Sequence, residues 1–535
     1  MLNTGVLARS SFWLKAGVAL LLVALADRLF LFHEPGTTVG VFALAWIVGL
    51  LLVRPGLRRD PRAVGALLVA TGMGLVLADR PSPLAWLLFL LAIAIAALSA
   101  RIVAGEPVWR WGQRLIIGGL LSVAGPILDW VKLNKRGPRV RSRRSPWPFV
   151  RMLALPVIGG WIFIALFAQA NPLISDALGR MHLPTFSGET VVRAWVWIFV
   201  LGLVWAVLRP RRFRKVTRLP SMGTGGIPGV TVASVTLSLI VFNALFAVQN
   251  GLDVAFLWSG APLPGDMGLA DYAHRGAYPL IVTALLAGLF VLICLRPGTE
   301  TAGRPLIRGL VTIWVGQNML LVASSILRTV DYVQSYGLTS FRIAAMIWMA
   351  MVGLGLLLIC WRLLRGKDGN WLIDANVKLA LVVLAAVGAV DLGAISAWWN
   401  VRHAAEVGGP AVELDLRYLH DIGAPALVSL VELEQRVPDS EFRARVTWVR
   451  EDIQETVQHQ QSERRGWIWR DARRLARVER LTAGRPLPRA SGNRDWDGAP
   501  FPPPAPAPAH SVMSPTITAS PTTPAPAPLT STPGA

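Results

Sequence analysis

The basic residues of this chain sit between its apolar runs, and rich loops alternate with poor ones along the first 400 residues. The rich loops are 54–62 (RPGLRRDPR), 101–114, 132–151 (KLNKRGPRVRSRRSPWPFVR), 209–218 (RPRRFRKVTR), 296–308 and 362–367. Between them lie stretches of about 17–25 mostly apolar residues, each long enough as a helix to cross a hydrocarbon core of about 30 Å. Backbone inside lipid must satisfy itself, which such runs do as helices. Cytoplasmic loops retain Lys and Arg, so the alternation records an orientation. The expected fold is all-α: a polytopic membrane bundle.

The same distribution answers a second question. A net charge of +21 would suit nucleic acid, but residues 401–535 hold 16 Arg against 16 Asp+Glu and are neutral. The whole excess, 37 Lys+Arg against 16 Asp+Glu, belongs to residues 1–400. The expected partners are therefore the lipid bilayer and anionic lipids at the basic cytoplasmic loops, with no nucleic acid. Only six of the 53 basic residues are Lys, and none follows Lys378. Together with abundant Ala, Gly and Pro, this suits a GC-rich bacterium and a cytoplasmic (inner) membrane. Cys294 and Cys360 lie near the basic ends of apolar runs, where thiols stay reduced. No CxxC, HxxxH or phosphate-loop spacing occurs, so neither a metal nor a cofactor is expected.

Spanning helices are expected near 13–32, 37–53, 63–79, 83–100, 149–170, 190–208, 229–250, 276–295, 309–327, 340–361 and 373–399. The run 115–131 has basic loops on both sides and is interrupted by Gly118, Gly119, Gly125 and Pro126. It reads as re-entrant or interfacial, because a crossing would export one basic loop. About eleven crossings place the N-terminus in the cytoplasm and the C-terminus outside. The segment Arg9 to Ala26 resembles a secretory signal, but Leu29–Phe32 prolongs the apolar run and favours an uncleaved first helix. The chain divides into N-terminal membrane helices (1–131), a basic cytoplasmic loop (132–148), a main membrane region (149–400), an exoplasmic helical region (401–480) and a disordered Pro/Ala/Ser/Thr-rich tail (481–535). Apolar residues recur at helical spacing in the fourth part, and the last lacks the apolar content to fold.

Tyrosine is the sharpest pointer to a site. The chain has 22 Trp but five Tyr, and four of these fall in or beside two stretches assigned to the exoplasmic face, 249–280 and 324–342. Those stretches carry Asp253, Asp271, Tyr272, His274, Arg275, Arg328, Asp331, Tyr332, Tyr336 and Arg342. Phenols, acids and guanidinium groups gathered at a membrane surface suit recognition of a polar head group, or acid–base work. They equally suit aromatic anchors with Asp–Arg pairs closing loop ends. Asn243, Gln317, Asn318 and Asp391 are the candidate polar residues inside spans. Amides there commonly bond helix to helix, whereas an ionisable group inside a span is a functional candidate, so Asp391 ranks above them.

Residues 242–256 (FNALFAVQNGLDVAF), 271–280 (DYAHRGAYPL), 331–342 (DYVQSYGLTSFR), the Asn400 region and 414–427 (LDLRYLHDIGAPAL) carry a family likeness. They resemble the bacterial multi-spanning family catalogued as domain of unknown function 4173, whose close relative is numbered 4153. The resemblance implies membrane location and architecture, and no catalytic residues. Two functions fit the whole. The preferred one is non-enzymatic, in transport, sensing or as an envelope scaffold whose tail binds a cell-envelope partner. The other is a membrane-embedded enzyme acting on a lipid-linked substrate at the exoplasmic face, with Asp253, Asp271, His274, Arg275, Asp331 and Arg342 supplying acid–base and phosphate-binding groups.

Overall fold

The computed structural model describes residues 4–99, 106, 108–120, 187–209, 231–259, 303–409, 413–438, 440–483 and 487–501, with isolated positions at 125, 126, 129, 156, 160, 282, 286 and 290. Among them the long elements are all α-helices. In chain order the first nine are α1 (Thr4–Phe30), α2 (Thr38–Val53), α3 (Pro61–Asp79), α4 (Pro83–Ser99), α5 (Val108–Leu120), α6 (Gly188–Leu208), α7 (Val232–Asp253), α8 (Pro305–Tyr336) and α9 (Ser340–Arg365). Then follow α10 (Gly369–Ala389), α11 (Leu392–His403), α12 (Leu416–Ile422), α13 (Leu427–Arg436), α14 (Glu441–Ser462) and α15 (Trp469–Thr482). Six of these, α3 and α6–α10, are long and apolar enough to cross a membrane. Helices α2 and α4 are equally apolar but 16 and 17 residues long. The expected spans at 149–170 and 276–295, the basic loop 132–148 and the segment 502–535 lie outside the described residues.

Two apolar cores organise the membrane helices. Helices α1–α4 and α6 meet around Phe42, Trp46, Leu50, Phe89 and Trp205. A Cβ on Gly40 would collide with the backbone of Ala78, so the closest approach of α2 to α3 requires glycine. The second core joins α7–α10 through Leu239, Ile307, Trp314, Leu356 and Leu372. Each helix is stopped and started by its loop chemistry. Gly366 closes α9 in the left-handed region at φ +61°, and Asp368 caps α10 by accepting from Trp371 N at 3.0 Å.

Helices α7 and α8 run parallel and in step. Asn243 Nδ2 donates to Leu310 O at 3.1 Å, and one heptad later Asn250 Nδ2 donates to Gln317 O at 3.2 Å. Both pairs are 67 positions apart. Past Asp253 the chain continues in one π-helical turn, Val254–Trp258. That turn takes in an extra residue, and the next contact, Trp258 Nε1 to Ser324 Oγ at 3.1 Å, spans 66. The offset records the bulge.

The C-terminal helices α12–α15, with α11, build a third core around Leu419, Leu427, Leu430, Val449 and Ile453. This domain sits on one end of the bundle, against the turns after α1, α3, α8 and α10. Thr37 N donates to Trp467 O at 2.8 Å, and a Cβ on Gly36 would stand 2.5 Å from Arg465 O. Asn400 clasps Leu338, accepting from its N–H at 2.6 Å and donating to its O at 2.8 Å. The Tyr418 hydroxyl accepts from Ser340 N at 2.8 Å and meets Ser396 Oγ at 2.8 Å. The opposite end carries the basic turns: Arg54 donates to Ala97 O, and Val108 N donates to Asp374.

Several expectations change here. The span 373–399 is two helices, broken at Val390–Asp391, so Asp391 caps α11 and is not enclosed in a continuous helix. Helix α8 extends to Tyr336, which makes Arg328, Asp331, Tyr332 and Tyr336 helical where a loop was expected. The basic segment 101–114 is helical from Val108, and its helix reaches Leu120 inside the run assigned as re-entrant. The unfolded tail does not begin at 481. Residues 487–501 fold back on α14, held by Arg450 to Pro488 O, Glu451 to Ala490 N and Arg445 to Asp497.

Candidate functional site

The polar residues of α7 and α8 form a seam that ends in a buried ion pair. Arg328 and Asp253, 6% and 0% exposed, are in direct contact, and Gln249 Nε2 donates to the same carboxylate at 3.0 Å. Removing both charges from water costs several kcal/mol per ion unless geometry and hydrogen bonds compensate. The register explains how they meet. Arg328 lies about one heptad beyond the position facing Asp253, and its side chain reaches back toward the helix N-terminus, as long helical side chains do. Gln317 reaches back in the same way, its Nε2 lying 3.4 Å from Asn243 Oδ1. Asn318 is fully buried and donates to Trp314 O at 2.8 Å.

Beyond the seam, at the end of α8, a second cluster forms. Tyr332 and Tyr336 stack with centroids 4.6 Å apart, and the Arg342 guanidinium lies 4.5 Å over the Tyr332 ring. Arg342 also donates to the carbonyls of Tyr336 and Gly337. It therefore closes the carboxyl end of α8, where unpaired carbonyls carry partial negative charge. Asp331 is partly buried and its carboxylate meets no described hydrogen-bond donor. A cavity of about 560 Å³ is lined by Val330, Val333, Gln334, Leu338, Met346, Trp399 and His403. His403 stacks on Trp399 at 4.2 Å, and its Nδ1 faces Trp399 O at 2.8 Å. A carbonyl only accepts, so that contact places a proton on Nδ1.

The third cluster joins the C-terminal domain to the membrane helices. Asp391 receives Arg80 at 3.2 Å, Arg470 at 3.6 Å and Arg474, while Asp79 receives Arg470 at 2.6 Å and Arg473. Asp471 pairs with Arg474 within α15. Four guanidinium groups and three carboxylates interlock at the membrane ends of α3 and α10.

The residues singled out from sequence thus separate. Asp253 and Arg328 meet; Tyr332, Tyr336 and Arg342 meet; Asn243, Gln317 and Asn318 line the seam; Asp391 belongs to the clamp. Asp271, Tyr272, His274 and Arg275 lie outside the described residues. Trp399 and His403 were missed, because WWNVRH at 398–403 reads as the end of a span. The histidine one helical turn after a tryptophan was the available signal. Among the described residues, no group of three or more His, Cys, Asp or Glu is placed to hold a metal.

These helices and their polar seam are those of an all-helical protein with membrane-spanning segments. More particularly, the chain belongs to the family described as Domain of unknown function (DUF4153), whose profile matches residues 63–433, more than half of its 535 residues. Of the two related families that the sequence resembles, it is the 4153 family that matches. No curated protein and no solved structure gives a significant match.

Proposed function

We propose that this protein is a non-enzymatic envelope scaffold or sensor of the bacterial cytoplasmic membrane, with its N-terminus inside and its C-terminal helical domain outside. The observation that carries this reading is the clamp of Asp79 and Asp391 on Arg80, Arg470, Arg473 and Arg474. A domain that only followed the last span would need one attachment, whereas this one is fixed to the turns of α1, α3, α8 and α10. Such fixing suits a domain that presents a surface to a cell-envelope partner, or that reports a load on itself to the helices beneath. The basic turns at the other end suit the anionic inner leaflet.

A second reading, an enzyme working on a lipid-linked substrate, is favoured by the cavity that Gln334 and His403 line, within the usual size for a small-molecule site. Complementation of a deletion strain separates the two. The scaffold reading expects Asp79→Ala with Asp391→Ala to fail and Asp331→Asn with His403→Gln to succeed; the reverse result overturns it. Reporter fusions after residues 145, 265 and 420 test orientation, with only the first expected to report cytoplasm.

A further inference from the structure

We infer that the turn 314–318 of α8, with Asn250 of α7 facing it, is a binding site for a monovalent alkali cation that keeps part of its water shell. The argument starts from which way three amides must point. Asn250 and Asn318 each give their Nδ2 to a backbone carbonyl, Gln317 O and Trp314 O. A carbonyl accepts only a donor, so neither amide can be turned round. Asn243 gives its Nδ2 to Leu239 O and Leu310 O, which fixes its Oδ1 as the atom facing Gln317. Gln317 must then present Nε2 to that oxygen.

Each of the three amides is left with its oxygen, and none of these oxygens has a partner: Asn250 Oδ1, Gln317 Oε1 and Asn318 Oδ1. Asn250 is 6% and Asn318 0% exposed. One orphan donor, Trp314 Nε1, belongs to the same turn. In hydrocarbon an unsatisfied polar group costs several kcal/mol, and four on one turn with its facing residue call for an occupant. Three acceptors against one donor select a ligand that is positive or donates protons, and they exclude an anion. The lone indole N–H suits a water on the ion.

The charge comes from the surroundings. Asp253 lies one helical turn beyond Asn250 on the same face, and the register places its carboxylate between the amides and the body of Arg328. That carboxylate is paired with Arg328. The three free acceptors are neutral amide oxygens, which serve an alkali ion as the carbonyls of a selectivity filter do.

The test is thermal unfolding of the full purified chain in detergent. Lithium, sodium, potassium and N-methylglucamine chlorides are compared at constant ionic strength. At least one alkali ion is expected to raise Tm saturably, by several degrees. Asn318→Leu and Asn250→Leu should each abolish that shift. Gln461→Leu, which removes a buried unpartnered amide of the C-terminal domain, should leave it intact. Equal melting in all four salts would mean that water alone fills the turn, and would overturn the inference. So would a shift that survives both leucine variants. Should either leucine variant not fold, Asn318→Asp decides: the added charge is expected to lower the half-saturating concentration, and an unchanged value counts against the site.

Discussion

Burying Arg328 beside Asp253 is destabilising unless the remaining protons and lone pairs find partners, and the seam supplies part of them. Gln249 takes a share of the carboxylate, and the amides of Asn243 and Asn250 tie the two helix backbones together. The pair therefore sets register more than it adds stability. Removing one partner strands the other charge, so Arg328→Leu is expected to cost about 3–5 kcal/mol. Replacing both, Asp253→Leu with Arg328→Met, should recover most of that loss. Thermal or denaturant unfolding of the four proteins of the cycle reads the difference, and a double variant no better than the worse single would defeat the argument. At the same scale, Gly36→Val is expected to push the 465–467 segment off the turn before α2. The measurable result is faster proteolysis near Arg465.

Among the elements, the strap 487–501 shows how few contacts convert a polar segment into structure. Arg494 holds Glu441 at 2.5 Å and so keeps that carboxyl below its ordinary pKa, the ion pair adding to the hydrogen bond. A depressed carboxyl contributes stability that is present above its unfolded value, near about 4.3, and lost as pH falls through the folded one. The strap should accordingly hold through the ordinary carboxyl range and loosen only as pH falls beneath it. Hydrogen exchange at Ala490 and Gly498 should show this, and Arg494→Gln should give the loosened exchange already at pH 7. The strap was illegible in sequence because its contacts are isolated ion pairs and hydrogen bonds 38 to 53 positions apart, with no periodicity to report them. The membrane helices were legible, since apolar length and arginine placement act locally. Their ends were less so. Nothing apolar distinguishes 373–389 from 392–399; the break comes from Asp391 capping Ala394 N, which the arginines of α15 stabilise from 83 positions away. Likewise, the pattern of α8 gave no reason to stop short of Gly337, and the tyrosines that suggested a loop are a stacked pair on its last turn.

Across the whole molecule, charge does two different things at the two ends. At the end with the turns after α2, α4 and α9, Arg110 and Arg114 share Glu106, and the basic excess of these turns in the sequence is one that an anionic surface allows. At the other end the scarce basic residues of the bundle are matched by acids that take their main partners from the C-terminal domain. Arg80 shares Asp391 with Arg470 and Arg474, whereas Asp79 serves Arg470 and Arg473 alone. Because Arg470 bridges both acids, loosening one leaves the guanidinium on the other. The two acids should therefore couple. Asp79→Ala alone, whose partner Arg473 is 62% exposed, is expected to cost about 1 kcal/mol. Asp391→Ala, from a site 13% exposed, should cost about 3 kcal/mol, since it also uncaps α11. The double variant should lose more than the sum, because only then does Arg470 lack any carboxylate. Spin labels on the exposed positions Arg436 and Leu68 would follow the domain against α3. A single sharp distance in the parent and in Asp79→Ala should broaden in the double variant. A distribution that stays sharp in the double variant would assign the anchoring to Asn400 and Tyr418 instead, and the clamp would then serve only to neutralise its own charges.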